Sequence, residues 1–218
     1  DAATNEIVIQ LGKALQADPF DGFVELVPTY RSLMVVYDPL MVRAEAAETA
    51  IRAKLNVIAK QANPGRLWRI PVWYGGEAAL DLDFLAQDKD MTADAIVALH
   101  SSAEYRVHMI GFAPGFVYLG GVPKALHSPR MSKPRQLVPA GAIGIGGQQA
   151  SINSVAGPSG WRFIGQTPVR AFDPTRHDPF LFAAGDRIRF HPISKPEACD
   201  LFARVEAGGI IVTPEIET

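Results

Sequence analysis

Eleven of the 19 glycines fall between Gly111 and Gly165, interleaved with prolines and aromatic rings in HMIGFAPGFVYLGGVP, VPAGAIGIGG and GPSGWRFIGQTPVR. A helix does not persist through such a stretch: each interior glycine costs about 1 kcal/mol against alanine, and proline removes a backbone donor. The composition suits short strands with tight turns, and places where a neighbouring group lies directly against the main chain. The functional surface is expected here.

The 218 residues are 48% hydrophobic, enough to bury a substantial core in one large domain or two small ones. The 21 basic and 23 acidic residues mix along the chain with no run of five like charges, which argues against nucleic acid or an anionic membrane as partner. Cys199 is the single cysteine, so an intramolecular disulfide and a thiolate metal cluster are both excluded. No apolar run reaches the roughly 18–20 residues that span a bilayer, and the first residues lack a basic-then-apolar leader, so the cytoplasm is the expected compartment.

Asn5 precedes a helical stripe of Ile7, Val8, Leu11 and Leu15 and is placed as its N-cap. Alternating apolar positions from Phe23 to Tyr37 predict a hairpin, and Ala44 to Lys60 predicts a second helix broken at Pro64-Gly65. Leu67 to Tyr74 reads as a strand of the same unit, so residues 1–78 form an α-β-β-α-β order. One preceding strand would complete a split β-α-β (ferredoxin-like) arrangement. Residues 79–104 read as a helical connector, with Thr92 capping a helix that carries Ile96 and Leu99. Residues 105–218 read as a β-barrel or sandwich, with strands at 105–110, 136–139, 142–145, 161–165, 169–172 and 187–192, a helix near 198–207 and a last strand at 210–213. The fold class is α+β.

Several chemistries lack their signature. There is no phosphate-binding Gly-x-x-x-x-Gly-Lys-Ser/Thr, and Gly144-Ile145-Gly146 lacks the third glycine of a dinucleotide fingerprint. There is no His-Glu-x-x-His, no Gly-x-Ser-x-Gly and no Ala-Met-Lys-Met biotin-attachment sequence, and the five histidines are scattered, so no metal site is expected.

Glu25 to Leu33 (ELVPTYRSL), Ile70 to Gly76 (IPVWYGG), Gly111 to Gly121 (GFAPGFVYLGG), Val138 to Gly141 (VPAG) and Gly160 to Pro168 (GWRFIGQTP) together resemble the carboxyltransferase-domain subunit 1 family. That family includes the B-type subunit of 5-oxoprolinase, allophanate hydrolase subunit 1, the matching part of urea carboxylase and a Kip-type inhibitor of a sensor histidine kinase. The resemblance implies a ferredoxin-like N-terminal domain and a cyclophilin-like β-barrel. It also implies a subunit, inactive alone, of an ATP-dependent complex that opens 5-oxo-L-proline to L-glutamate. The implied partners are a carboxyltransferase-domain subunit 2 and an amidohydrolase-like third subunit, with ATP used by the complex. Half of a urea-type carboxyltransferase and a non-enzymatic kinase inhibitor are the alternatives. The segment Gln148 to Ser154 (QQASINS) departs from the Gln-Thr-Gly-Ile-Tyr-Pro pattern expected of the family. If that loop touches substrate, specificity differs.

Phe112, Phe116, Tyr118 and Trp161 form either an apolar wall for a flat cyclic amide or ureido group, or barrel core. Arg130 and Arg135 sit in proline-stiffened loops, where a guanidinium clamps a carboxylate or is simply solvated. Gln149, which matches the family motif, offers donor and acceptor to a substrate amide. His100 and Glu104 are the candidate acid–base groups, with the helix C-terminus expected to raise the His100 pKa.

Overall fold

The computed structural model describes residues 2–58 and 65–215. The chain divides into two compact units between Asn63 and Pro64. In the first, α1 (Ala2–Ala17) buries Val8, Leu11 and Leu15 at helical spacing. Asn5 lies inside this helix, not at its cap: it is fully buried, and its Nδ2 donates to the Tyr30 carbonyl (3.0 Å) in the hairpin turn. β1 (Phe23–Pro28) and β2 (Leu33–Tyr37) pair antiparallel, closing between Pro28 and Leu33. α2 (Ala44–Val57) follows as expected. Lys60 and Pro64, where the helix end and its break are expected, lie outside the described residues.

The second unit is built on a seven-stranded sheet of order β10-β7-β8-β5-β4-β11-β3. Its strands are β3 (Leu67–Val72), β4 (Glu104–Ile110), β5 (Val117–Gly120), β7 (Ala142–Gly146), β8 (Gln149–Ile152), β10 (Arg162–Gln166) and β11 (Arg187–Pro192). All pairs are antiparallel except β3 with β11. Beyond β3, Trp73 and Gln166 exchange backbone hydrogen bonds (2.9 and 3.0 Å), so the sheet curls until its two outer strands meet. β6 (Arg135–Val138) and β9 (Gly157–Ser159) form a separate two-stranded ribbon.

Three sequence expectations change here. β3 belongs to the second unit, because its near-continuous apolar run (LWRIPV) pairs with β11, 120 positions away, and is buried on both faces. The helices α3 (Leu82–Asp88) and α4 (Ala93–Ser102), read as a connector, instead bring Leu82, Leu85 and Ile96 into the main core beneath the sheet. Residues 169–172 and 210–213 are not strands; the first makes a single bridge, Phe172 to Phe180, and the tail returns to bridge Leu67 at Glu215. Thr92 caps α4 as expected, its Oγ1 accepting from Ala95 N–H (3.1 Å), and α5 (Lys195–Glu206) starts three residues before the expected 198, with Ser194 Oγ accepting from Glu197 N–H.

β7 shows why glycines crowd this chain. Ile143 and Ile145 face the main core, while Gly144 and Gly146 face the other way, into a second cluster of Val138, Ala142, Trp161 and Phe163. A Cβ on Gly146 would lie 2.7–3.0 Å from three atoms of the Trp161 indole, and one on Gly144 would lie 2.9 Å from Phe163 Cε1. The rings rest on bare backbone. Gly146→Ala is therefore expected to displace Trp161 and to destabilise the fold by about 1–3 kcal/mol, with a red shift in tryptophan emission that Gly157→Ala, whose added Cβ meets nothing, does not produce.

Candidate functional site

The outer face of the curled sheet carries a cleft of about 370 Å³, and five of the six residues read from the sequence as substrate-binding line it: Phe112, Phe116, Tyr118, Arg130 and Trp161. Phe112 and Phe116 come from the β4–β5 loop, Tyr118 from β5, and Trp161 from the turn before β10. Their rings touch edge to face: Phe112 on Phe116 (5.6 Å), Phe116 on Tyr118 (4.7 Å) and Tyr118 on Trp161 (6.0 Å). Phe116 and Trp161 are buried, Tyr118 is half-buried and Phe112 is exposed.

The opposite wall is the segment around Arg130, Met131 and Pro134, together with Pro158 to Gly160. Ser128 and Gly147 exchange backbone hydrogen bonds (3.2 and 2.7 Å), which tie one end of this wall to the turn after β7, and Met131 N–H donates to Gly160 O (2.7 Å), which joins its two segments. The Arg130 guanidinium stacks over the Trp161 ring with Cζ 4.8 Å from its centroid. Among the described residues no carboxylate pairs with it.

Arg135 is neither solvated nor free to clamp a ligand. Both its terminal nitrogens donate to Asp81 (2.9 and 2.9 Å), which is 2% exposed and also accepts from Arg162 (3.2 Å) and the Phe163 N–H (2.8 Å). Arg135 Nη1 further reaches Met131 Sδ (2.9 Å) and the Trp161 carbonyl (3.5 Å), both parts of the cleft wall. Asp81 thus organises the site from behind. Sequence reading passed over it, because an aspartate just ahead of a helix looks like an ordinary cap.

The two acid–base candidates lie elsewhere. His100 is fully buried between Tyr74, Tyr105 and Phe190, with Nδ1 2.7 Å from the Tyr74 hydroxyl. Burial lowers its pKa to about 3, overriding the helix-end effect expected to raise it. Glu104 opens β4 on the surface and is held by Arg187 (3.5 Å) and Arg189 (2.8 Å) of β11. Gln149 begins β8 directly opposite Gly146, half-buried, and does not line the cleft. The segment expected to be an atypical loop is largely strand: Ser151 is paired with Gly144 and Tyr118 in mid-sheet, and Asn153 and Ser154 are buried just beyond.

The cleft therefore offers an aromatic surface, one guanidinium, and the Tyr118 and Ser159 hydroxyls. Burial raises the Tyr118 pKa, and neighbouring Arg130 works against that rise. Such a set is chemically suited to a small anion with an apolar body. It contributes no group that exchanges protons near neutrality. Among the described residues, no three His, Cys, Asp or Glu side chains gather as a metal site, and no helix is long and apolar enough to cross a membrane.

A family model of the carboxyltransferase domain, subdomain C and D, matches residues 1–182. The chain belongs to that family. This carboxyltransferase-domain chain is 36% identical over 204 residues to the B-type subunit of 5-oxoprolinase from Bacillus subtilis (strain 168), covering 88% of this chain and 85% of that protein. Of solved structures, TTHA0988 superposes with a TM-score of 0.79 and 35% identity over 90% of this chain, which spans 38% of that larger chain. The K. lactis urea amidolyase superposes with a TM-score of 0.80 over 99% of this chain, which spans 15% of that enzyme; at 19% identity the likeness is one of fold.

Proposed function

We propose that this chain is the B-type subunit of a cytoplasmic, ATP-dependent 5-oxoprolinase complex, and that its cleft holds 5-oxo-L-proline. The observation that carries the reading is Arg130, stacked on Trp161 in an aromatic cleft with no carboxylate partner among the described residues. It suits the substrate carboxylate, while the neighbouring Phe112 and Tyr118 rings suit the flat lactam ring. Three relatives that carry the 5-oxoprolinase name, each as its B-type subunit, support the assignment.

The partners in this reading are a carboxyltransferase-domain subunit 2 and an amidohydrolase-like third subunit, which supply the proton-transfer groups that the cleft lining lacks, and the complex uses ATP. In this reading the first unit is ferredoxin-like, its α1-β1-β2-α2 order supplying the middle elements of that arrangement, and the curled sheet is a cyclophilin-like barrel. Urea-type carboxyl transfer is the second reading, supported by the fold shared with the urea amidolyase; uncharged urea leaves Arg130 without a counter-charge.

The test is ADP release by the complex reconstituted from the three subunits. 5-Oxo-L-proline should stimulate it, and omitting this chain should abolish the stimulation. Arg130→Met should raise the KM for 5-oxo-L-proline roughly 10- to 100-fold, the worth of a charge-assisted hydrogen-bonded pair. Stimulation by urea in place of 5-oxo-L-proline would overturn the reading.

A further inference from the structure

The six-residue connection between β4 and β5, Gly111 to Phe116, closes on itself through Gly111 N–H to Phe116 O and Phe116 N–H to Ala113 O, both 3.1 Å. Within it Phe112 adopts φ +72°, one of two positive values at non-glycine positions among the described residues. The other is Asp90 (φ +51°), a residue type that tolerates the left-handed region; a bulky aromatic does not. Gly111 stands one position away, where no positive φ is needed. The side chain gains little in return, since Phe112 is 78% exposed while Phe116, four residues on, is 5% exposed. Backbone and side chain are thus both unfavourable in the chain by itself. The unfavourable conformation places this exposed ring in the lining of the cleft, at 77° to the Phe116 ring.

We propose that Phe112 is a specificity-determining cap: its strained backbone presents the ring, at the end of the Phe116–Tyr118 row, to one face of a compact cyclic anion held in the cleft, with Arg130 at the anionic end. This rests on the reading of the cleft as the 5-oxo-L-proline site. A residue kept in a strained, exposed conformation for a ligand should stabilise the protein when the strain is removed and weaken the ligand at the same time.

Phe112→Gly and Phe112→Leu separate the two effects. In the purified chain, Phe112→Gly should raise the thermal midpoint by roughly 2–4 °C, because glycine adopts the left-handed region freely. In the reconstituted three-subunit complex, the same variant should raise the KM for 5-oxo-L-proline about 10-fold, with kcat moving far less. Phe112→Leu, which keeps an apolar body without the ring, should give a smaller rise in KM. A wild-type complex that responds to 5-oxo-L-proline, together with an unchanged KM in both variants, overturns the proposal alone. So does an unchanged KM accompanied by poorer assembly on size exclusion, which would make the ring an anchor for a partner subunit. A lowered midpoint in Phe112→Gly also overturns it, since the ring would then serve the fold. A wild-type complex unresponsive to 5-oxo-L-proline removes this proposal together with the functional reading.

Discussion

Asp81→Ala should lower the stability of the second unit by about 3–5 kcal/mol, the usual consequence of removing one partner from a buried charge cluster. The carboxylate is 2% exposed and receives four hydrogen bonds, from two nitrogens of Arg135, one of Arg162 and the Phe163 backbone. Deleting it leaves two guanidiniums facing each other with little water, because the Arg135 and Arg162 side chains are only 25% and 18% exposed. Arg162, whose Cζ lies 3.9 Å from the Phe84 ring centroid, has no room to swing out without losing that contact. Asp81→Asn should recover part of the loss, since its amide oxygen still accepts from Phe163 N–H while the charge is gone. Urea unfolding followed by far-UV circular dichroism measures both; a loss under about 1 kcal/mol in Asp81→Ala would mean that the arginines find other partners. Because Arg135 also touches Met131 and the Trp161 carbonyl, the alanine variant should disturb the cleft wall before global unfolding, visible as an earlier change in tryptophan emission.

Acid should destabilise this protein well before its carboxylates titrate. His100 is held neutral in the folded chain, its pKa lowered by burial from 6.5 to about 3. The unfolded chain therefore binds a proton between those values that the folded chain refuses. The contribution of His100 is fully present above pH 6.5, falls progressively below it, and is exhausted near pH 3, a total on the order of 5 kcal/mol. His108, buried against the backbone of Gly120, is lowered to about 4 by desolvation first and by Arg106 second, and adds to the same loss. Between pH 6.5 and 5, where few carboxylates change state, wild-type stability should fall with a slope of about two protons from His100 and His108 plus a smaller share from His191, also lowered by burial, and His100→Gln should remove one of them. An unchanged slope in that variant would show that the imidazole is solvated in the folded chain.

The cleft was largely legible in the linear chain because its components are contiguous motifs: Phe112, Phe116 and Tyr118 lie within one glycine-rich run, and Arg130 and Trp161 follow in proline- and glycine-bounded turns. Gln149 was misplaced for a related reason: motif proximity stood in for geometry, and strand pairing carried it out of the cleft to a position opposite Gly146. The strands β5, β8 and β9 were not separable in advance, since glycine, serine and proline blur the two-residue alternation that marks a strand.

Short-range physics decided the elements that the sequence determined by itself. Helical spacing and a cap hydroxyl define α4, turn chemistry closes the β1–β2 hairpin, and Gly144 and Gly146 announce that something must lie flat on β7. What only the tertiary structure decided are pairings across long separations. β3 leaves the hairpin unit for β11, Asp81 collects arginines 54 and 81 positions away, and His100 disappears into a core between Tyr74 and Phe190. Local propensity carries no information about such partners. Which polar group ends up buried, and which charge ends up paired, depends on the desolvation of surfaces that meet only when the sheet curls closed at Trp73 and Gln166.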